Sequence, residues 1–189
     1  MKIVFIRHGK TQGNIEKKYI GKTDESLCKQ GIDELSRSIY PEVQAVISSP
    51  MKRCVETAKL IYPNHNAMIY KDLCECNFGI FEGKSYKELC GNPEYVKWLE
   101  SNGTLPFPQG ETNEAFIERS TAAFKNSVKK LKDCCCESAA YVVHGGTIMA
   151  VFSELALPKK SFYEYMVKNG CGYICEYNSQ TLKITKELL

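Results

Sequence analysis

The chain has 189 residues, 43% apolar and 25% charged, with 13 Gly and 7 Pro, proportions that fit one globular domain and exclude collagen, coiled coil, mucin and disordered tail. A chain this long buries roughly 70% of the surface its unfolded form exposes, so its core needs neither disulfides nor a structural metal. The 25 Lys and Arg against 22 Asp and Glu leave a net charge of +3, scattered along the chain, which argues against a nucleic-acid-coating protein and makes any charge-driven chemistry local.

No window reaches the ~20 apolar residues of a bilayer helix, so no membrane partner is expected. The opening MKIVFIRHGK reads as a strand and not a signal peptide, because few apolar residues separate Lys2 from Arg7. Ten cysteines without a leader fit a reducing compartment, and the expected location is the cytoplasm. No C-x-x-C occurs, and the only histidines are His8, His65 and His144, so no metal is expected. The Cys134, Cys135, Cys136 triplet reads as lenient substitution near a helix end, where an exposed thiol is open to oxidation.

The first strand is read over 3–6, ending in Arg7-His8-Gly9. Apolar spacing predicts a helix over 31–39, stopped by Tyr40-Pro41, then a strand over 43–47. Ser48-Ser49-Pro50 signals a helix over 51–61. A short strand over 67–70 precedes a glycine-punctuated stretch, a helical turn at 85–89 and a helix opened by Asn92-Pro93. The longest helix is expected over 111–131. A buried strand over 139–143 meets His144-Gly145-Gly146, followed by a helix over 148–157, and 172–177 with 182–185 form a closing hairpin. Strands alternating with helices predict a three-layer α/β/α sandwich with a mainly parallel central sheet, its ligand site beyond the strand ends. The chain reads as one domain, 1–189, with an insertion at 73–110 that could lid a pocket.

Chemistry concentrates at those strand ends. His8 beside Arg7 could be a hydrogen-bonded strand-end residue, or a neutral imidazole able to attack phosphorus while Arg7 pairs with phosphoryl oxygens. Arg53 could sit on a solvated helix face or share an anion with helix amides. His144, followed by two glycines, repeats the arrangement of His8. Together the two histidines and two arginines could ring one phosphate.

R-H-G-K-T-x-x-N, S-S-P-x-x-R, L-x-E-x-x-F-G-x-x-E-G, Q-G-E-T and V-x-H-G-G, in this order over residues 3 to about 157, resemble the histidine phosphatase superfamily, the phosphoglycerate-mutase-like fold. The resemblance implies His8 as nucleophile, Glu75 as proton donor, and Arg7, Arg53 and His144 around the phosphoryl group, with Asn14 positioning it and Gly145 also binding phosphate. Glu82 reads as a structural turn partner, and Glu111 as a cap or the orienter of an arginine. Lys10, Cys28 and Met149 depart from the family pattern; Lys10 is expected to add a cation near the pocket mouth and Met149 to remove one. His65 is expected at the surface, and Trp98 to pack the insertion.

The leading reading is a metal-independent, cofactor-free phosphomonoesterase acting through phosphohistidine on a small molecule, similar to α-ribazole phosphatases and broad-specificity phosphatases. A cofactor-dependent phosphoglycerate mutase is the alternative within the family, and a catalytically idle phosphate-binding module the alternative outside it. No nucleic-acid partner is expected, and the oligomeric state is not read from the sequence.

Overall fold

A computed structural model of the chain describes residues 1–188. Strands β1 (Lys2–Arg7), β2 (Ala45–Ser48), β3 (Met68–Ile69), β4 (Ser138–Val143), β5 (Ala156–Leu157), β6 (Gly172–Tyr177) and β7 (Leu182–Leu188) form one sheet in the order β3-β2-β4-β1-β6-β7-β5. β6 alone runs against the others. β1 lies between β4 and β6, pairing in parallel with β4 from Lys2 opposite Ser138 to Arg7 opposite Val143.

The central strands are buried on both faces, which is why their sequences are continuous apolar runs. Ile3 and Phe5, with Ala139, Tyr141 and Val143, face a core built from α6 (Asn113–Asp133) and α7 (Gly145–Leu155). Val4 and Ile6, with Ala140 and Val142, face Cys54 and Ala58 of α3 (Lys52–Ile61), beside which α2 (Lys29–Ser36) packs. The sandwich therefore has three layers. Phe5 is fully buried among Phe124, Tyr141 and Phe152, with ring centroids 5.0–5.4 Å away; burying a side chain of this kind contributes about 1.5–3 kcal/mol.

Short helices α1 (Gln12–Ile15), α4 (Tyr86–Leu89) and α5 (Pro93–Glu100) lie outside the sheet layers. The segment carrying α4 and α5 has its own aromatic core of Phe81, Tyr95, Trp98 and Phe107, closed by Phe116 of α6. Among the described residues, no helix is long and apolar enough to cross a membrane.

Several boundaries differ from those expected. α2 begins after Cys28, whose sulfur accepts the Gly31 amide at 3.4 Å, and ends at Ser36. There the Ser36 and Ser38 hydroxyls turn back onto the Ile32 and Glu34 carbonyls, competing with the helix, so Ile39 is left 91% exposed. α7 starts earlier, at Gly145, and stops at Leu155; Ala156 and Leu157 pair with β7 instead, because Pro158 biases the residue before it towards extended backbone. α1 was not expected at all, and β7 runs to Leu188.

Candidate active site

β1 and β4 are parallel neighbours in register, so Arg7-His8 and His144 leave the sheet at the same edge. The two imidazoles stand edge to face with centroids 5.3 Å apart. The amide of His8 still donates to the Val143 carbonyl at 2.9 Å, which ties the first loop to the second.

His8 is 4% exposed and borders a cavity of about 310 Å³. Its Nδ1 lies 2.7 Å from the Gly9 carbonyl. A carbonyl only accepts, so Nδ1 carries the proton and the Nε2 lone pair is left for a ligand. Burial, then the positive charges of Arg53 and Arg7, hold the His8 pKa well below its ordinary value. The ring is therefore a neutral imidazole.

His144 is fully buried with both nitrogens engaged. Arg53 Nε donates to its Nδ1 at 3.2 Å, so the ring proton is on Nε2 and donates to Ser49 Oγ at 2.7 Å. Burial and Arg53 depress its pKa as well. Arg53 also donates to the carbonyls of Thr23 (2.7 Å), Gly21 (2.9 Å) and Ile20 (3.4 Å). The loop 21–23 is in turn pinned by Glu82, whose Oε1 accepts from the Gly21 amide and from the Thr23 amide and hydroxyl. Arg53 and His144 are thus in the buried layer against His8, and neither lines the cavity.

Arg7, Asn14, Glu75 and Gly145 do line it. Arg7 Nη1 donates to the Val167 carbonyl at 2.8 Å, while its Nε is buried without a partner among the described residues. The T-x-x-N of the first motif is a reciprocal cap of α1: Asn14 N donates to Thr11 Oγ1, and Thr11 N to Asn14 Oδ1. Asn169 Nδ2 also donates to Asn14 Oδ1, at 3.0 Å. With its oxygen held twice, Asn14 has its amide NH₂ left for the cavity.

Glu75 is half-buried in the cavity wall. Its Oε1 accepts from the Cys76 amide at 2.9 Å and its Oε2 from the Gly146 amide at 3.0 Å. Burial raises its pKa, and the two amides, Arg53 and Arg7 only partly offset this. The remaining wall is apolar: Tyr19, Phe78, Trp98, Phe107, Phe116, Met149 and Phe162 surround the opening, with Lys18 as a further cation. Trp98 both packs the aromatic core and borders the cavity, while Tyr86 is exposed and does neither.

Lys10 and His65 depart from expectation, whereas Glu111 meets it. Lys10 does not border the cavity; its ammonium pairs with Glu34 at 2.7 Å. His65 is half-buried, with Nε2 2.9 Å from the Val43 carbonyl. Glu111 both accepts from the Asn77 amide and pairs with Arg119. Sequence reasoning missed Asn169, Thr57, which accepts the Gly9 amide at 3.0 Å, and Arg119. Among the described residues, no cluster of His, Cys, Asp and Glu could hold a metal ion.

The model of branch 1 of the histidine phosphatase superfamily matches residues 3–187. The chain belongs to this superfamily. Phosphoglycerate mutase-like protein 4 of Arabidopsis thaliana is 32% identical to it, the match covering 80% of this chain and 70% of that protein. The adenosylcobalamin/alpha-ribazole phosphatase of Salmonella typhimurium is 26% identical over 97% of this chain and 95% of its own length. The crystal structure of an alpha-ribazole phosphatase from Shigella flexneri has the same fold, with a TM-score of 0.83, 23% identity, and coverage of 100% of this chain and 96% of that one. This histidine phosphatase fold thus has relatives named for both hydrolysis and mutase chemistry, and the choice between them rests on the cavity.

Proposed function

We propose that the protein is a metal-independent phosphomonoester hydrolase that works through a phosphohistidine at His8. The observation that carries this reading is the His8 ring, whose Nδ1 is committed to the Gly9 carbonyl, leaving an unprotonated Nε2 beside the Arg7 guanidinium. His8 Nε2 attacks phosphorus as the bond to the alcohol oxygen breaks, and protonated Glu75 gives its proton to the departing oxygen. In the second half, Glu75 as carboxylate takes a proton from water, the water oxygen attacks phosphorus, and the P–N bond breaks to release phosphate. Arg7, Asn14 and the Gly145 turn hold the phosphoryl oxygens. From the layer behind, Arg53 contributes positive potential, and the neutral ring of His144, held between Arg53 and Ser49, contributes orientation.

The wall supports an alcohol half with an apolar or aromatic body, as in α-ribazole 5'-phosphate or a set of small phosphomonoesters met by a broad-specificity phosphatase. Phosphoglycerate carries a carboxylate as well as a phosphate, and among the described residues Lys18 is the only lining cation besides Arg7. The mutase is therefore the second reading, supported by the relative from Arabidopsis. The insertion at 73–110 supplies Glu75 and much of the wall, and we read it as the lid of a single domain acting in the cytoplasm. The test is turnover of 4-nitrophenyl phosphate without divalent metal, followed by α-ribazole phosphate, sugar phosphates, and 3-phosphoglycerate with a bisphosphoglycerate primer. Release of phosphate that is lost in His8→Ala supports the reading. Isomerisation without release establishes the mutase, and binding without turnover an idle module.

A further inference from the structure

We propose that Arg119, braced by Glu111, is the positioning residue of the Glu75 carboxyl. The inference rests on Glu75 as the proton donor of the reading above. The chain at 72–77 passes from a short 3-10 turn into irregular backbone, so its carbonyls have no sheet ladder to satisfy them. One guanidinium does it instead: Arg119 Nη1 donates to the carbonyls of Asp72 (2.8 Å) and Cys74 (2.9 Å), and Nη2 to that of Glu75 (3.0 Å). The same guanidinium forks onto Glu111 at 2.7 and 2.9 Å. Glu111 closes the far side, its amide donating to the Asn77 carbonyl at 2.9 Å and its carboxylate accepting the Asn77 amide at 3.4 Å. Both ends of the Glu75 segment are thereby referred to α6, a 21-residue helix packed on the sheet.

The arrangement needs the planar fork of arginine. A lysine keeps the charge but is a single point donor and cannot address three carbonyls and a carboxylate together. Misplacing a proton donor by a fraction of an ångström weakens the step that needs the proton and leaves phosphoryl binding intact.

The experiment compares kcat/KM of the full chain for 4-nitrophenyl phosphate, whose leaving group departs unaided, and 2-phenylethyl phosphate, whose leaving group requires a proton. Glu75→Gln should lose about 100-fold or more on the alkyl ester and only a few-fold on the nitrophenyl ester. Arg119→Met and Arg119→Lys should show the same selectivity at about 10-fold, with inhibition by inorganic phosphate within about two-fold of the parent, as expected when binding is untouched. If Glu75→Gln is selective but the Arg119 variants lose both substrates equally, or neither, the positioning role is overturned and Arg119 is structural. If Glu75→Gln itself is unselective, the acid assignment falls and takes this proposal with it. Should Arg119→Met fail to fold, Arg119→Lys and Glu111→Gln decide by the same ratio.

Discussion

The amide of Gly146 donates to the Glu75 carboxylate at 3.0 Å, joining the first turn of α7 to a residue 71 positions earlier. A Cβ at position 146 would meet Glu75 Oε1 and press on its Cδ at 3.0 Å and on Phe116 Cε1 at 3.2 Å. Alanine is otherwise a better helix former than glycine by up to about 1 kcal/mol. Gly146→Ala is therefore expected to lower kcat/KM for a poor leaving group by about 10-fold or more, and the carboxyl pushed off its two amides offsets the helix gain, so the melting temperature should not rise. Calorimetry beside kinetics checks both signs; an unchanged rate means Glu75 needs no such seat.

The pH–rate profile follows from the two shifted groups. His8 is held well below its ordinary 6.5 by burial and by Arg53 and Arg7, so nucleophilic competence should persist as pH falls below 6.5. Glu75 is held above its ordinary 4.5, chiefly by burial. Its protonated form disappears as pH rises through that raised value, and kcat/KM for an alkyl phosphate should decline there. Glu75→Gln should abolish this alkaline limb. A limb that survives in the variant assigns the proton to another group.

Stability should have the opposite acid signature. The unfolded chain protonates His8 and His144 near 6.5, whereas burial first, and Arg53 next, depress both folded values, so each contributes stability that is lost as pH falls below 6.5 towards its folded pKa. Glu75, raised by burial, works against them, its stabilising share fading as pH rises from 4.5 through its folded value. The two rings give a fall of up to about 3 kcal/mol per pH unit on acidification, reduced to about half that where Glu75 opposes them. Urea melts between pH 7 and pH 5 measure it, and His144→Gln should flatten the slope. A parent slope already flat means the rings protonate in place.

Asn169 joins three segments of the site. Its Nδ2 lies 3.1 Å from the His8 carbonyl, 3.0 Å from Asn14 Oδ1 and 3.5 Å from the Gly9 carbonyl. Asn169→Ala should cost about 1–2 kcal/mol in unfolding free energy and reduce kcat/KM about 10-fold by freeing Asn14. Asn169→Asp should be worse on both counts, because a carboxylate would face three oxygens. Equal activity of parent and alanine variant removes Asn14 orientation from the mechanism.

The sheet strands and the motifs at their ends were legible because short β-branched runs bounded by Arg7-His8-Gly9 and His144-Gly145-Gly146 have few other ways to fold. The pairing of His8 with His144 follows once β1 and β4 are neighbours. What stayed hidden acts through backbone carbonyls. Arg119 lies in the second turn of α6 and Glu111 just before its cap, and nothing in the residues around Arg119 says that it holds 72–75. Asn169 sits in a loop whose partner strand is more than 150 residues away. The end of α2 was misplaced because Ile39 fits the apolar period, while the serine hydroxyls that end the helix leave no periodic trace.

The loop before β6 carries Val167, Asn169 and Gly170, all bonded to Arg7, His8 or Gly9. The segment that carries His8 is synthesised more than 150 residues before the loop that clamps it. A nascent or protease-clipped polypeptide that stops short of Val167 has every signature residue yet lacks the brace that aims them. The alignment of Arg7, His8 and Gly9 is therefore completed only when the antiparallel strand β6 and the loop before it have joined the sheet.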